Sequence, residues 1–233
     1  MTVLPADAGA RGARTSPLRR IRKILGRIRR RFVLDTYDVF ARRIPAVPED
    51  LGAPDGYEFS WGSAADVAGC DEHHTELDEK ERREGIVRLR LGHRVVVAKR
   101  DGEVVFSMWE NPRNLNVPGL IKRRLGAHQS FIYKAFTSPD HRGRRLYEAG
   151  MRFVLGALAA EGKRELVGYA HVKKRISRQG LAALRFDSVG RVRLLAGPGW
   201  RRAFVSRRLA ERFPEPLPRS EAVAKAMADP KGP

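Results

Sequence analysis

The sequence predicts an α/β protein in which a mixed, mostly antiparallel central sheet carries helices on both faces. Short runs rich in β-branched and aromatic residues alternate with helix-like segments between residues 57 and 195. Two of these runs, 94–99 and 103–109, flank an Asp-Gly pair at 101–102, which is a strong signal for a hairpin. A further strand stops at Pro139, where a basic turn leads at once into a long apolar helix.

The composition is that of a globular chain with an excess of positive charge. Of its 233 residues, 42% are hydrophobic and 31% are charged, and the formal net charge is +19. Residues 1–45 hold twelve Arg or Lys against three Asp, which is +9 of that total. Such a density favours a polyanion or an anionic membrane surface as a partner.

The single cysteine, Cys70, excludes an intramolecular disulfide and a thiolate zinc cluster, and it favours a reducing compartment. The neighbouring Asp71 and Glu72 disfavour a thiolate nucleophile because of their negative charge. His73 and His74 are adjacent and would point apart on a helix, so we expect no metal site. No stretch approaches the roughly 20 apolar residues of a membrane span. We therefore expect a cytoplasmic protein, either free or peripheral to the inner face of the membrane.

Residues 1–50 are predicted to form a basic N-terminal arm. Ser16 can cap a helix, and apolar residues then recur at steps of three and four as far as Phe32. This basic amphipathic helix over 16–32 has two open uses: docking within the protein or in a homodimer, or contact with an anionic membrane surface or polyanion. The first predicted strand follows a linker and covers 57–61.

The main domain is predicted to span residues 51–213, with a flexible tail over 214–233. Ser63 and Asp66 have the spacing of a capping box that opens a short helix. Residues 111–128 have no clean period and are predicted to form an inserted loop. The other predicted elements are helices at 75–91, 145–161 and 176–184 and strands at 131–137, 165–172 and 189–195.

The basic turn over 139–145, PDHRGRR, has the features of an anion site. The helix that follows leaves the backbone amides of its first turn without intrahelical acceptors, so they can bind an anion above the strand end. Gly143 permits close backbone approach, while Arg142, Arg144 and Arg145 add positive charge. The spacing matches neither a Walker loop nor a Rossmann turn. A phosphate-bearing ligand of another class is therefore expected here.

The segment PDHRGRRLYEAGMRFVLGAL resembles the acetyl-CoA-binding motif of the GNAT superfamily, and the order of elements over about 57–195 is similar as well. The resemblance implies the GNAT fold, with a splayed pair of strands, and acetyl-CoA as the acyl donor. It also implies that Phe136 and Thr137 pair with the pantetheine arm of the coenzyme. The backbone amides implied to bind the pyrophosphate belong to Arg142, Gly143, Arg144, Arg145, Leu146 and Tyr147.

Four positions depart from the pattern of the superfamily. Arg145 stands where the coenzyme motif has glycine, and would crowd the phosphates unless its side chain turns outward. Downstream, Ser177 and the Phe186 that follows resemble an N-x-x-S…GF element whose polar residues approach the coenzyme thiol. Lys174 takes the place of its asparagine and Arg185 that of its glycine. Leu181 stands where many members have the tyrosine that protonates the departing thiolate.

Acyl transfer to an amine needs a base, and three residues are candidates. Glu110 ends a central strand, Tyr133 lies on the strand implied to splay, and His171 ends the next strand. Each has a structural alternative: a solvated carboxylate, a core aromatic residue and a hydrogen-bonded strand end, respectively. Ser177 is the candidate that assists the leaving thiolate.

These observations predict an N-acyltransferase that moves an acetyl group from acetyl-CoA to a primary amine on an acceptor that no motif identifies. The alternative is a catalytically degenerate GNAT-like domain that binds a ligand or partner, with an arm that contacts a polyanion or membrane surface. Specific nucleic-acid recognition is not expected, because the sequence has no helix-turn-helix, zinc finger or aromatic RNA-binding motif.

Overall fold

The computed structural model describes residues 33–46, 52–70, 78–117, 120–197 and 200–217. The helix predicted over 16–32 and most of the predicted tail lie outside these residues. Of the helices that it describes, none is long and apolar enough to cross a membrane.

Eight strands of the described chain form one sheet, and two more form a separate hairpin. The strands are β1 Val33–Arg43, β2 Glu58–Trp61, β3 Arg94–Arg100, β4 Glu103–Asn111, β5 Asn114–Val117, β6 Ile121–Arg124, β7 Gln129–Thr137, β8 Glu165–His171, β9 Asp187–Gly197 and β10 Trp200–Val205. The large sheet has the order β10-β9-β1-β8-β7-β4-β3-β2, and β5 pairs with β6. Within the large sheet β7 and β8 are parallel, whereas the other neighbours are antiparallel. The predicted mixed, mostly antiparallel sheet is confirmed.

Helices cover both faces of this sheet, as predicted. They are α1 Ala64–Ala68, α2 Glu79–Arg90, α3 Leu146–Ala160, α4 Arg175–Ala183 and α5 Arg207–Arg212, and a short 3₁₀ turn covers Pro139–His141. On one face, Leu158 of α3 and Leu181 of α4 pack in one core with Phe106. On the opposite face, Leu209 of α5 and Leu115 of the hairpin pack in a second core.

Three local predictions are confirmed at the level of the backbone. Ser63 Oγ accepts from the Asp66 amide at 3.2 Å, and Asp66 Oδ2 accepts from the Ser63 amide at 2.7 Å, which is a complete capping box. The hairpin between β3 and β4 turns through Asp101 and Gly102, with φ angles of 52° and 84°. Gly162 has a φ of 74° and lies just beyond the end of α3.

Strand β1 corrects the predicted domain boundary at residue 50. It lies inside the sheet and pairs on one side with β8, where Val39 is opposite Tyr169, and on the other with β9. Val39 is fully buried, so residues 33–43 belong to the main domain and not to an arm. The polar residues in VLDTYDVFARR and the arginine-rich segment before it obscure the alternation of a strand.

The structure also corrects the loop predicted over 111–128. Strands β5 and β6 form a hairpin within it, with Leu115, Val117 and Ile121 buried in the second core. Each strand has only four residues, which is too short for a clear period in the sequence. Strand β10 and helix α5 are further elements that the sequence does not predict.

Candidate functional site

The two parallel strands β7 and β8 separate over most of their length. They pair only from Gln129 to Phe131 on β7 and from Glu165 to Val167 on β8. Beyond this point β7 pairs with β4 alone, and the register shifts near Lys134, whose φ of 49° marks a bulge. The edge of β7 that faces β8 is therefore open to a ligand. This is the splayed pair that the resemblance implies.

A cavity of about 540 Å³ lies at this split. It is lined by the diverging strands, by the first turn of α3 and by α4. Both an apolar wall and hydroxyl or imidazole groups contribute to it, as is common in ligand sites. Its lining includes Tyr37, Met108, Ile132, Tyr133, Lys134, Ala135, Tyr147, Tyr169, Ala170, His171, Lys174, Ser177, Gly180 and Leu181.

The start of α3 has no side-chain cap. Arg145 is its N-cap residue, and the Ala149 amide makes a helical hydrogen bond of 3.0 Å to the Arg145 carbonyl. The amides of Leu146 and Tyr147 precede that bond and have no intrahelical acceptor. Gly143 has a φ of 77°, and a Cβ built on it would have no atom within 4 Å. The turn is thus accessible to an anion at the positive end of a 15-residue helix.

Arg145 has a left-handed backbone conformation, which favours glycine. Its φ of 59° and ψ of 21° are left-handed, at a cost of about 1–2 kcal/mol for a residue with a Cβ. Its side chain is 82% exposed and lies 3.5 Å from Glu148. The guanidinium therefore points to solvent and does not crowd the first-turn amides.

The other arginines of the turn have different surroundings. Arg142 Nε donates to the Thr137 carbonyl at 3.2 Å, and its guanidinium lies 5.9 Å from the ring centre of Phe136. Arg142 is thereby held against the end of β7. Within the described residues Arg144 is exposed and has no ion-pair partner, so its charge is available to a ligand.

Arg185 repeats this conformation at the end of α4. Its φ is 58°, its amide donates to the Ala182 carbonyl, and the Phe186 amide donates to the Leu181 carbonyl. This is a Schellman motif, whose left-handed position usually holds glycine. Arginine thus occupies a left-handed position at both places where the resembling motifs have glycine.

Tyr147, Ser177 and Leu181 meet at the cavity. Ser177 and Leu181 are one turn apart on α4, and the Tyr147 ring packs against Gly180. Burial raises the pKa of Tyr147, so its phenol is protonated at neutral pH. Among the described residues no group hydrogen-bonds this hydroxyl, which leaves it available to a ligand. A hydroxyl is therefore present beside position 181 although residue 181 itself is leucine.

Tyr133 lines the cavity from β7 and is held by a chain of hydrogen bonds. Asn111 Oδ1 accepts from the backbone amides of Arg113 and Asn114 at 2.9 and 3.0 Å. The Asn111 amide nitrogen therefore faces His93 Nε2, at 3.1 Å. His93 Nδ1 lies 2.5 Å from the Tyr133 hydroxyl oxygen.

The chain of hydrogen bonds has a fixed direction. Because Asn111 donates to His93 Nε2, the proton of the neutral ring is on Nδ1 and is donated to Tyr133. Burial, followed by the nearby Arg88, lowers the pKa of His93 to about 4, so the ring is neutral at pH 7. Burial raises the pKa of Tyr133 above its ordinary value. Tyr133 is therefore a hydrogen-bond donor with a free O–H, and it is poorly suited to the predicted role of base.

His171 also lines the cavity, but both of its ring nitrogens are engaged. Nδ1 accepts from the Lys173 amide at 3.0 Å, and Nε2 lies 3.3 Å from Asp35 Oδ1 on β1. The neutral ring therefore donates through Nε2 and has no free lone pair in this arrangement.

Glu110 does not line the cavity. Its carboxylate is fully buried, accepts from Arg94 Nε at 2.8 Å and also accepts from the Ser130 hydroxyl. Arg94 in turn contacts Glu161 at the end of α3. Glu110 thus links β4, β3 and α3, which is a structural position and not that of a base for a substrate in the cavity.

Several site residues are not found by reading the sequence. Tyr37 and Tyr169 line the cavity and have ring centres 5.8 Å apart, yet they are separated by more than a hundred residues. Tyr37 is on β1, which the sequence does not predict as a strand. His93 and Asn111 form no motif, because only the register between β3 and β4 brings them together.

Comparison with known proteins gives matches among solved structures only: no protein-family model and no curated protein matches the chain. A Drosophila structural-genomics protein is 11% identical over 77% of this chain, with a TM-score of 0.51. A GCN5-related N-acetyltransferase from Sphaerobacter thermophilus is 14% identical over 83%, with a TM-score of 0.46. An aminoglycoside N-acetyltransferase, AAC(6′)-Iy, in complex with CoA is 20% identical over 56%, with a TM-score of 0.44.

These similarities concern the fold alone. This chain spans 57% of the Drosophila chain, 58% of the Sphaerobacter chain and 92% of the aminoglycoside enzyme. The fold itself follows from the architecture: an Asp-Gly hairpin, a parallel pair that splays, and a glycine turn that opens the helix between these two strands. By this arrangement the protein has the fold of the GNAT acetyltransferases.

Proposed function

We propose that this protein is an N-acyltransferase that transfers an acetyl group from acetyl-CoA to a primary amine. The observation that carries the proposal is the split between β7 and β8, which opens a cavity of about 540 Å³ that reaches the uncapped start of α3. A phosphate group at the helix start and an extended arm along an open strand edge are the two features of a coenzyme A thioester that such a site fits.

The pyrophosphate would be bound by backbone amides from Arg142 to Tyr147, with positive charge from the exposed Arg144. The pantetheine arm would lie along the open edge of β7, beside residues 132–137. Its acyl thioester would then enter the cavity, where Tyr147 and Ser177 lie. In this arrangement the phosphates stay at the surface and the reacting carbonyl lies in the cavity between the strands.

Among the described residues, Tyr147 and Tyr133 give the cavity hydrogen-bond donors, and none of the three candidate bases is free within it. The amine nitrogen attacks the thioester carbonyl, the C–N bond forms, and the C–S bond breaks with its electron pair on sulfur. Tyr147 and Tyr133 are protonated phenols that can donate to the negative charge that develops on oxygen and sulfur. The amine reacts as its neutral form and gives its extra proton to water. We therefore expect kcat/KM to rise with pH toward the pKa of the amine.

The coenzyme site is tested by a pair of matched substitutions at the two ends of α3. Gly143 and Gly162 have φ angles of 77° and 74°, and a Cβ on either would have no atom within 4 Å. Gly143→Trp and Gly162→Trp should therefore have similar effects on stability. Only Gly143→Trp covers the first-turn amides, so we expect it alone to abolish acetyl-CoA binding in calorimetry. Unchanged affinity in Gly143→Trp would refute the phosphate site.

Turnover is tested by release of free coenzyme thiol in the presence of amino sugars, amino acids, polyamines and lysine peptides. Tyr147→Phe and Ser177→Ala should each lower kcat by about tenfold to a hundredfold with little change in acetyl-CoA affinity. If acetyl-CoA binds but no amine raises thiol release above the coenzyme-only background, the protein is a degenerate domain that binds a coenzyme or a partner.

A further inference from the structure

The net charge of the chain is confined to two segments. Residues 1–45 have a net charge of +9, and residues 173–208 hold eleven Arg or Lys against one Asp, which is +10. Together they equal the +19 of the whole chain, so the remaining residues are neutral in sum. An even distribution of 46 basic and 27 acidic residues would not give this separation.

The fold brings the described end of the first segment, residues 33–45, against the second segment. Strand β1, from the first segment, is hydrogen-bonded to β9, and β9 to β10, both from the second. Helix α4 lies against the same end of the sheet: Asp38 of β1 pairs with Arg178 of α4 at 3.0 Å and with Arg191 of β9 at 2.6 Å. Residues 33–45 of the first segment hold two Arg and two Asp and are neutral in sum, so the second segment supplies the basic surface at the β10 end of the sheet.

Large apolar side chains are exposed on this same surface. The side chains of this kind that are exposed in the described chain are Leu34, Ile176, Trp200 and Phe204, with exposures of 62%, 86%, 41% and 53%. Their positions are the start of β1, the start of α4 and the two ends of β10. Exposed apolar side chains are ordinary when scattered, but their confinement to the basic end of the molecule is not.

Strand register shows how the apolar and basic side chains alternate. Leu34 is opposite Leu195, which is opposite Arg202. One step along, Thr36 is opposite Arg193, which is opposite Phe204. On the same three strands, Val39, Val192 and Val205 face the second core. Successive side chains of a strand point to opposite faces, so Leu34, Arg193, Arg202 and Phe204 lie on the face of the sheet opposite that core. Neither Arg193 nor Arg202 has a carboxylate partner within the described residues.

We propose that this surface, the basic face formed by Leu34, Ile176, Arg193, Trp200, Arg202 and Phe204, binds the surface of an anionic lipid bilayer. Arginines meet lipid phosphates while the apolar side chains enter the interface, where tryptophan is especially favoured. Of these six residues Ile176 also lines the cavity between β7 and β8, whereas the other five lie outside it, so the basic face can be tested apart from acyl transfer.

The positive charge of the basic face argues against the other segments or molecules that could cover it. Residues 16–32, which precede β1, carry eight basic residues and no acid, and would add to the repulsion if they covered the basic face. A second copy of the chain would bring the same positive surface. A nucleic acid would satisfy the arginines but has no use for exposed Leu34 and Ile176.

Vesicle sedimentation with the full chain tests the proposal. Phosphatidylcholine vesicles and vesicles with about a third phosphatidylserine would be compared; we expect binding to the anionic vesicles alone, weakened by salt. Arg193→Glu with Arg202→Glu should reduce partitioning by at least about thirtyfold, at about a factor of five for each basic residue lost. Lys80→Glu with Arg83→Glu makes the same change in net charge on exposed α2 and should have only a small effect.

A second pair of variants separates a lipid surface from a polyanion. Leu34→Ser with Phe204→Ser changes only exposed apolar side chains, so the fold should persist. It should lower vesicle binding several-fold and leave binding to heparin or duplex DNA unchanged. Normal vesicle binding by this variant would overturn the proposal, as would equal loss in the charge pair and its α2 control. Tighter binding to duplex DNA than to anionic vesicles at equal salt would favour a nucleic acid instead.

Discussion

Protonation of His93 should make the stability of this protein unusually sensitive to mild acid. The pKa of His93 is lowered from 6.5 to about 4, chiefly by burial and then by Arg88, Arg113 and Lys122. As pH falls through 6.5 the unfolded chain binds a proton that the folded chain does not, so stability that is fully present above pH 6.5 is lost toward pH 4. The expected loss is about 2–3 kcal/mol from this residue, allowing for the partial exposure of its ring.

The measurement is urea unfolding at pH values between 4 and 9, for the wild type and for His93→Phe. The variant should be less stable at pH 8 by about 1–3 kcal/mol, because Asn111 and Tyr133 lose their shared partner. The two curves should run parallel above pH 7 and converge below pH 6.5, because the variant has no imidazole to protonate. Parallel curves over the whole range would show that His93 does not titrate with a lowered pKa, and the assigned direction of the hydrogen bonds would lose its support.

Three further predictions concern the backbone and the core. Deletion of residues 1–32 should leave a folded protein, whereas deletion of 1–40 removes most of β1 and should abolish the cooperative unfolding transition seen by circular dichroism. Arg185→Gly should raise the free energy of unfolding by about 0.5–1 kcal/mol in urea titrations, whereas Arg185→Ala, which keeps a Cβ at a φ of 58°, should not. Gly150→Ala should lower the free energy of unfolding by about 1–3 kcal/mol, because the new Cβ would lie 2.5 Å from Phe106. This loss should exceed the gain from the better helix propensity of alanine. A neutral or stabilising result would contradict the packing described for α3.

The parts of the fold that the sequence predicts are those set by local chemistry. The Asp-Gly turn at 101–102, the capping box at Ser63 and the terminating Gly162 each need only the residues beside them. The turn around Gly143 belongs to the same class, because a strand end, a flexible glycine and an apolar helix are all visible within a short stretch. The candidate anion site at this turn can therefore be predicted without any long-range contact.

The parts that the sequence does not predict depend on pairing across long distances. Nothing within VLDTYDVFARR shows that it is covered by strands on both sides, since its partners are more than a hundred residues away. Glu110 is a plausible base in the sequence, but the register of β3 places Arg94 opposite it, and the Glu110 carboxylate is fully buried in that ion pair. The direction of the hydrogen bond from His93 to Tyr133 likewise depends on where Asn111 lies in the folded chain.

The central position of β1 has a consequence for biosynthesis. Arg43 is paired with Glu165, so 122 residues must be added after Arg43 before the first neighbour of β1 begins to emerge. At about 5–20 residues per second, the strand waits roughly six to twenty-four seconds with both edges unpaired. During that interval a hydrophobic strand and an arginine-rich segment are exposed on the same nascent chain. We therefore expect yield in the cell to depend on a chaperone that holds the N-terminus until β8 and β9 emerge, and a ribosome-stalled chain ending near residue 160 should remain sensitive to protease within β1.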